Sequence, residues 1–446
     1  MVIDDAELAA AIQRRRGQWS AQFGGTLSVE TADASALEST SPPAADVIVY
    51  LSRHLGPLAT RGAIVPLRSN MLSGEPYRPA ELFPLVARPM AAWGERPMAF
   101  ALGSPVLVLI YRADLLAALD RQPPRTWSEY ASLVDELGQQ TATDAASEAL
   151  PDDWQAAIEP VAPGWAGITL LARAAAYAKH PHDYATLFDA QTMEPRIDGP
   201  PFVRALRELA ESNRGDVATK RYDPHEARRA VYEGRAALAW GWPTAADDAG
   251  GEAIGQVRFA ELPGAEQVYR QGLNQWEPRP ENRRRVTLLG VAGRLASVSA
   301  ASRNAASAMN LAAWLSAGDV QHPPSAASRE TTLYRQPHLP QIDPWLPQGI
   351  SPEAADGYAN VVREALSRDD WMAVPRIPGA ERYMTALDKA VIDVLDGNAS
   401  PEMSLAAAKQ QWLAITEELG VQRQRAAYAR SLGLEPIGGR LDSPPE

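Results

Sequence analysis

The residues in this chain that could do chemistry are a few histidines, carboxylates and tryptophans. His225 and Glu226 open an HExxH zinc pattern, but Arg229 stands where the second histidine would bind the metal. His180 and His182 flank a proline without a third nearby ligand, which is more typical of a surface loop. Cysteine is absent, which excludes a thiol nucleophile, a disulfide and a Cys-ligated metal. We therefore expect no catalytic residue, no metal and no cofactor, and an enzyme with a scattered active site stays open as an alternative.

Tryptophan is the residue type that most favours a binding site. The chain has 12 Trp and 13 Tyr but only 6 Phe, so its aromatic rings mostly carry a polar group. Such rings can stack on an amphipathic solute, for example a sugar, and also hydrogen-bond to it. Four tryptophans lie at turns or element ends marked by Gly or Pro and are the stacking candidates: Trp165, Trp240, Trp242 and Trp276.

The charge and hydropathy of the chain exclude several classes of protein. Asp and Glu number 55 against 43 Lys and Arg, giving a net charge of −12, which disfavours nucleic acid as a partner. Hydrophobic residues make up 46%, as in a globular protein. No apolar stretch approaches the roughly 18 to 20 residues of a membrane span. Asp4, Asp5 and Glu7 occupy the place of a signal peptide's basic region, so we expect a signal segment to be absent from this chain.

Hydrophobic patterning predicts an α/β fold with a helical C-terminal part. The continuous apolar run 45–51, ADVIVYL, is typical of a strand that is buried on both faces of a parallel sheet. Helices are predicted over residues 5–23 and 127–140, and further strands over 26–31, 236–240 and 287–292. Residues 268–285 have no clear periodicity, and the C-terminal helices are predicted over 352–367, 380–395 and 401–432.

Four segments, in the same order along the chain, resemble extracellular solute-binding proteins of ABC importers. The resemblance is to the sugar-binding group that includes maltose-binding protein. The segments are residues 45–67, residues 99–130 with AFALGSPVLVLIYRADLL, residues 226–243 with EARRAVYEGRAALAWGWP, and residues 288–299 with LLGVAGRLASVS. The chain departs from the family pattern in having only a short first strand, and it contains no lipobox cysteine.

The resemblance implies two doubly wound α/β lobes joined by hinge crossover strands, as in type II periplasmic binding proteins. On this basis the N-terminal lobe comprises residues 1–108 with 286–345. The C-terminal lobe comprises residues 109–285 with 346–432, and residues 433–446 form a flexible tail.

The same resemblance places a solute between the lobes, beyond the carboxyl ends of the strands. Polar and small residues expected there are Asp5, Ser52, Arg53, Gly103, Ser104, Gly293 and Arg294. Trp165 also precedes a helix whose first amides could meet a ligand oxygen. Asp5 is equally compatible with a helix cap, and Arg53 and Arg294 are equally compatible with ion pairs.

The function expected from the resemblance is that of a receptor, not an enzyme. It would bind a small polar solute, foremost a carbohydrate, by hinge closure and deliver it to a membrane permease. A receptor of the same fold for a polyamine, phosphate ester or peptide stays open as an alternative. We expect a monomer outside the cytoplasm, in the periplasm or at the cell surface, and lipid anchoring stays open.

Overall fold

The fold is taken from a computed structural model that describes residues 1–32, 44–71, 77–143, 151, 153–213, 220–246, 251, 253–317 and 319–435. Strands β1 to β15, in chain order, are Val2–Ile3, Glu30–Thr31, Val47–Leu51, Ala92–Trp93, Arg96–Pro97, Phe100–Ala101, Val108–Arg112, Gln155–Ile158, Ala236–Gly241, Val257–Glu261, Gln267–Arg270, Gln275–Pro278, Thr287–Leu289, Arg294–Val298 and Trp371–Ala373. Helices α1 to α13 are Ala6–Arg14, Arg16–Phe23, Leu55–Thr60, Ala113–Ala118, Trp127–Thr143, Ala166–Ala178, Pro200–Ser212, Pro224–Tyr232, Ala305–Ala317, Pro352–Ser367, Ala380–Leu395, Pro401–Leu419 and Val421–Ser431. Most of the predicted tail lies outside the described residues.

The first sheet has the strand order β2-β1-β3-β14-β6. Strand β1 runs parallel to β2 and β3, whereas β14 runs antiparallel to both β3 and β6. The first four residues of β3, Val47 to Tyr50, are fully buried, as its continuous apolar pattern predicts. Helix α9 packs on this sheet against β14, β6 and β3.

The second sheet has the strand order β10-β7-β9-β8. It is mixed, because β7 runs antiparallel to β9 and β10 while β8 runs parallel to β9. Helices α8 and α10 pack on its strands, and α6 packs in turn against α7 and α11. The expected arrangement of two α/β lobes with a helical C-terminal part is confirmed, although both sheets are mixed.

The chain crosses between the two sheets along several connections. The first crossing runs from β6 to β7, and a later one returns through β13 to β14. Strand β13 forms a small parallel ladder with β15, so the segment that leads into the C-terminal helices lies beside the returning connection. None of the helices within the described ranges has the length and apolar character needed to cross a bilayer.

Five element predictions need correction. The strand predicted over 287–292 ends at Leu289, and the next strand, β14, begins at Arg294. The helix predicted over residues 5–23 is two helices, because the chain turns at Arg15. The helix predicted over 401–432 breaks at Gly420, whose φ of 90° ends α12 before α13 begins. The strand predicted over 26–31 pairs only at Glu30 and Thr31. The stretch 268–285, which has no clear periodicity, contains the antiparallel hairpin of β11 and β12, in which Tyr269 lies opposite Trp276.

Candidate functional site

Charged residues from the ends of the central strands of the first sheet meet in a buried ion-pair cluster. Asp4 and Asp5 follow β1, and Arg294 opens β14, which is antiparallel to its neighbours. The Arg294 guanidinium lies 2.5 Å from an oxygen of Asp4 and 3.3 Å from one of Asp5, and all three side chains are buried. Burial raises the pKa of Asp4, and the charge of Arg294 opposes that rise.

Asp5 combines the two roles that the sequence left open. One carboxylate oxygen accepts a hydrogen bond of 2.9 Å from the Leu8 amide and caps α1. The other oxygen accepts a hydrogen bond from the Ser328 hydroxyl and faces Arg294. Asp5 therefore fixes the start of α1 and ties it to the segment that contains Ser328.

The segment around Ser328 carries Glu330, which links the first lobe to the second. The Glu330 carbonyl accepts a hydrogen bond of 2.7 Å from the Gly293 amide. Its carboxylate lies 3.2 Å from Nε2 of His225, in the first turn of α8. Burial by itself would raise the pKa of Glu330, but the hydrogen bond to His225 and the charges of Arg294 and Arg53 lower it below its usual value.

Two tryptophans of the second lobe lie next to this contact. The ring centroids of Trp165 and Trp242 are 5.8 Å apart, and the His225 ring packs edge-on at 5.7 Å from Trp242. Trp242 follows β9 and is fully buried, and its Nε1 donates a hydrogen bond of 2.9 Å to the Arg329 carbonyl. Trp165 is partly exposed and precedes α6. An aromatic pair thus lies beside the charged residues at the boundary between the lobes.

A second ion pair joins the lobes. Arg53 follows β3, and its Nε donates a hydrogen bond of 2.8 Å to Glu381, in the first turn of α11. His54 lies 3.7 Å from the same carboxylate. Burial, with the neighbouring charge of Arg53, lowers the pKa of His54 to about 4. We call the residues of these contacts the interlobe cluster: Asp4, Asp5, Arg53, His54, Trp165, His225, Trp242, Arg294, Glu330 and Glu381.

Three buried nitrogens of the interlobe cluster make no hydrogen bond within the described part of the chain. They are Nε of Arg294, Nε2 of His54 and Nδ1 of His225. Buried polar atoms in folded proteins are nearly always hydrogen-bonded. These atoms therefore offer hydrogen-bonding capacity that a polar solute at the lobe boundary could use.

Two amides around the start of α6 are hydrogen-bonded within the protein, at the place where the sequence predicts that a ligand oxygen could bind. Asp388, from α11, accepts hydrogen bonds from the amides of Gly164 and Gly167. A carboxylate is the group that the positive end of a helix dipole favours, so Asp388 satisfies this terminus within the protein. Burial raises the pKa of Asp388, and the two amide hydrogen bonds oppose that rise.

Several predicted site residues have structural roles that account for their polar groups. The Ser52 hydroxyl donates to the Ala292 carbonyl at 2.7 Å, and the Ser104 hydroxyl contacts the Met90 sulfur at 2.7 Å. Both serines are buried. Gly103 lies where a Cβ would come within 2.3 Å of Thr331.

Gly293 is needed for backbone geometry. Its φ is 92°, and an added Cβ would lie 2.6 Å from the Gly103 carbonyl oxygen. Both glycines therefore let the connections between the two sheets pack closely, which is a different role from contacting a solute.

Two tryptophan predictions are corrected by the packing. Trp240 is fully buried, 5.2 Å from the Trp127 ring and 5.3 Å from the Arg173 guanidinium, so it belongs to the core of the second lobe. Trp276 lies on the β11–β12 hairpin and packs against Tyr177 and Tyr269. Neither has a ring partner in the interlobe cluster, so neither is kept as a stacking residue.

His225, Glu330 and Glu381 belong to the interlobe cluster, and the sequence did not identify them as candidates for a binding site. His225 follows a clear capping signal, Asp223 with Glu226, which predicts a helix start but not what the histidine faces. Glu330 lies in a loop-rich stretch without periodicity. Within the described ranges no cluster of three or more His, Cys, Asp or Glu could hold a metal, and His180 pairs with Glu277 at 3.2 Å.

Comparison with known proteins agrees with this architecture. The chain is similar to a ribitol complex of an ABC transporter solute-binding protein from Agrobacterium radiobacter K84 (TM-score 0.66, 16% identity, 93% of this chain and 97% of that one). A D-mannitol-bound protein from Agrobacterium vitis S4 matches with TM-score 0.65, 15% identity and coverage of 94% and 98%. Maltose-bound MalE3 from T. maritima matches with TM-score 0.65, 16% identity and coverage of 93% and 99%.

The similarity to these structures shows that the chain has the fold of type II periplasmic binding proteins. No curated protein matches the chain in sequence. The family model for bacterial extracellular solute-binding proteins matches residues 20–321, about two thirds of the chain. This family consists of binding proteins, which confirms the expectation of a receptor rather than an enzyme, and its members act outside the cytoplasm. The chain belongs to the family of bacterial extracellular solute-binding proteins.

Proposed function

We propose that this protein is the substrate-binding receptor of an ABC importer and that it binds a small polyhydroxylated solute between its lobes. The observation that carries the proposal is the interlobe cluster, in which residues from the strand ends of one lobe meet Trp165 and Trp242 of the other. The lobes would correspond to residues 1–108 with 286–345 and residues 109–285 with 346–432.

The chemistry of the cluster suits hydroxyl groups. Carboxylates held by arginines can accept hydrogen bonds from hydroxyls, and guanidinium and imidazole nitrogens can donate to them. A tryptophan face beside these groups can stack on the C–H face of a sugar or polyol. The structural relatives that contain ribitol, D-mannitol and maltose support the same class of solute.

The partners and location follow from the same proposal. A monomeric receptor outside the cytoplasm would deliver its solute to a membrane permease, with closure of the lobes marking the loaded state. The net charge of −12 disfavours nucleic acid as a partner.

Ribitol, D-mannitol and maltose are the first probes for the test. A solute at 100 times its Kd should stabilise the fold by roughly 2.7 kcal/mol, which a thermal-shift assay detects. We expect Trp165→Ala to lower the affinity for the solute that binds by about tenfold or more, measured by calorimetry, because it removes a stacking face.

Trp276→Ala is the matched control, because it removes a partly buried tryptophan outside the interlobe cluster. It should leave the affinity unchanged. A panel of sugars and polyols without any binder, or equal affinities for wild type and Trp165→Ala, would contradict the proposed site.

A further inference from the structure

Among the described residues, no guanidinium group is in contact with the Glu330 carboxylate, whereas the other carboxylates of the interlobe cluster each have one. We propose that Glu330 makes the cleft select an uncharged polyhydroxylated solute over the corresponding sugar acid. This inference rests on the proposed function and specifies the solute class of the same site.

The backbone at Glu330 is held in place from two directions. Its amide donates a hydrogen bond of 3.1 Å to the Ser328 hydroxyl, which in turn binds Asp5. Its carbonyl accepts the Gly293 amide at 2.7 Å. The side chain remains about one quarter exposed. A fixed backbone with a partly open carboxylate suits a group that meets a solute.

The two guanidinium groups of the interlobe cluster are already engaged by carboxylates other than Glu330. Arg294 is in contact with Asp4 and Asp5, and Arg53 is in contact with Glu381. Within the described residues, the cluster therefore has two guanidinium groups and four carboxylates. In that part of the chain, the Glu330 carboxylate has its one hydrogen bond and ion pair with the His225 imidazole. Among the Asp, Glu and Arg side chains of the interlobe cluster, the surplus charge is negative.

An acidic solute would meet an unfavourable site for two reasons. Its carboxylate would lie close to that of Glu330 in a partly buried place, where like charges repel strongly. Arg294 offers an acidic solute only its Nε, because its other two nitrogens face Asp4 and Asp5, and freeing them would break a buried ion pair. A neutral hydroxyl, by contrast, can donate a hydrogen bond to Glu330, and such charge-assisted hydrogen bonds are strong.

The test compares matched pairs of solutes that differ in one oxidised carbon: ribitol with ribonate, D-mannitol with D-mannonate, and maltose with maltobionate. Calorimetry on the full chain at pH 7.5 gives the ratio of neutral to acid affinity for each pair. We expect Glu330→Gln, which keeps the size and removes the charge, to narrow that ratio by about tenfold or more. Glu353→Gln is the matched control, because Glu353 is exposed and pairs with Arg258 away from the cleft.

A second variant changes the charge in the opposite direction. Arg53→Gln removes a cation whose charge acts on Glu330, so the ratio should widen in favour of the neutral solute. A thermal melt of the free protein shows whether Glu330→Gln folds. If it does not fold, the affinity ratio of Arg53→Gln alone tests the inference.

The outcomes separate the inference from the proposed function. Wild type that binds a neutral solute, with a ratio that shifts in opposite directions in the two variants, supports the inference. The inference is overturned if the wild-type protein binds the sugar acid better than the neutral solute. It is also overturned if the ratio of neutral to acid affinity in the variants stays within twofold of the wild-type ratio. Wild type that binds none of the six solutes contradicts the proposed function instead.

Discussion

At the scale of single residues, the guanidinium of Arg294 at the lobe boundary forms ion pairs with two carboxylates that are far from it in the sequence. Arg294 lies about 290 residues from Asp4 and Asp5, yet all three are buried in contact. The hydrophobic pattern predicts that these residues lie near strand ends, because apolar runs stop beside them. It does not predict their pairing, which depends on β14 running antiparallel beside β3.

Burial of a single histidine gives the fold a pH dependence. His338 is almost fully buried, with the Tyr334 ring at 4.8 Å, and burial beside Arg335 lowers its pKa to about 3. Below pH 6.5 the unfolded chain therefore binds a proton that the folded chain rejects, so stability falls as the pH drops from 6.5 towards 3. Because of this group, we expect the free energy of unfolding to be about 3 kcal/mol lower at pH 4 than at neutral pH.

Urea denaturation of wild type and His338→Asn at pH 7, 6, 5 and 4 measures this contribution. The variant has no imidazole to protonate, so its stability should fall less steeply with decreasing pH. His54 acts in the same direction, and the slope is therefore reduced but not abolished. Parallel stability profiles for the two proteins would contradict the assigned role of His338.

At the scale of elements, the short helix α3 is held tightly against the segment that follows β15. A Cβ at Gly56 would lie 1.7 Å from the Arg376 carbonyl oxygen and 2.5 Å from the Trp93 ring. The Arg376 side chain also donates a hydrogen bond of 2.9 Å to the Met90 carbonyl. Backbone atoms from distant parts of the chain thus meet at a position where only glycine fits.

Gly56→Ala should therefore destabilise the protein strongly. The methyl group meets a backbone carbonyl that cannot rotate away, so α3 must shift from its place and we expect a loss of about 2 kcal/mol or more. Gly357→Ala is the control, since Gly357 lies within α10 with no atom within 4 Å of an added Cβ. It should gain up to about 1 kcal/mol from reduced backbone freedom. Chemical denaturation measures both, and equal stabilities would refute the packing argument.

The long C-terminal helices were the elements most readable from sequence. The predicted ranges 352–367 and 380–395 agree with α10 and α11. Ser351 caps α10 and Pro352 occupies its first turn, both of which are local signals. The helix break at Gly420 and the β11–β12 hairpin were missed, because each depends on backbone geometry that local apolar periodicity does not encode.

At the scale of the whole molecule, the ion pair between Arg53 and Glu381 joins two separately built lobes. Nε of Arg53, just after β3, lies 2.8 Å from a carboxylate oxygen of Glu381, in the first turn of α11. Because Glu381 is substantially exposed, the pair contributes modestly to stability. We expect its effect to fall on the equilibrium between open and closed lobes, in which case the apparent affinity scales with the closed fraction.

Glu381→Gln should open the lobes and weaken solute binding by about threefold. Small-angle X-ray scattering would show a larger radius of gyration for the variant, and calorimetry would give its affinity. Glu418→Gln is the control, since Glu418 forms an exposed pair with Arg382 between α11 and α12 of one lobe. A variant with the radius and affinity of wild type would exclude the ion pair from closure.

The sequence by itself determined the α/β class, the buried strands β3 and β9, the main helices and the positions of Asp5 and Arg53 after strand ends. These features follow from local periodicity, capping and turn residues, which act over a few positions of the chain. Arg294, which was expected in a turn after a strand, instead opens β14. Only the tertiary structure decided that Trp240 is a core residue, that Asp388 caps α6, and that Glu330 and His225 meet between the lobes. The physical reason is that burial and charge pairing depend on contacts between residues that lie 100 or more positions apart.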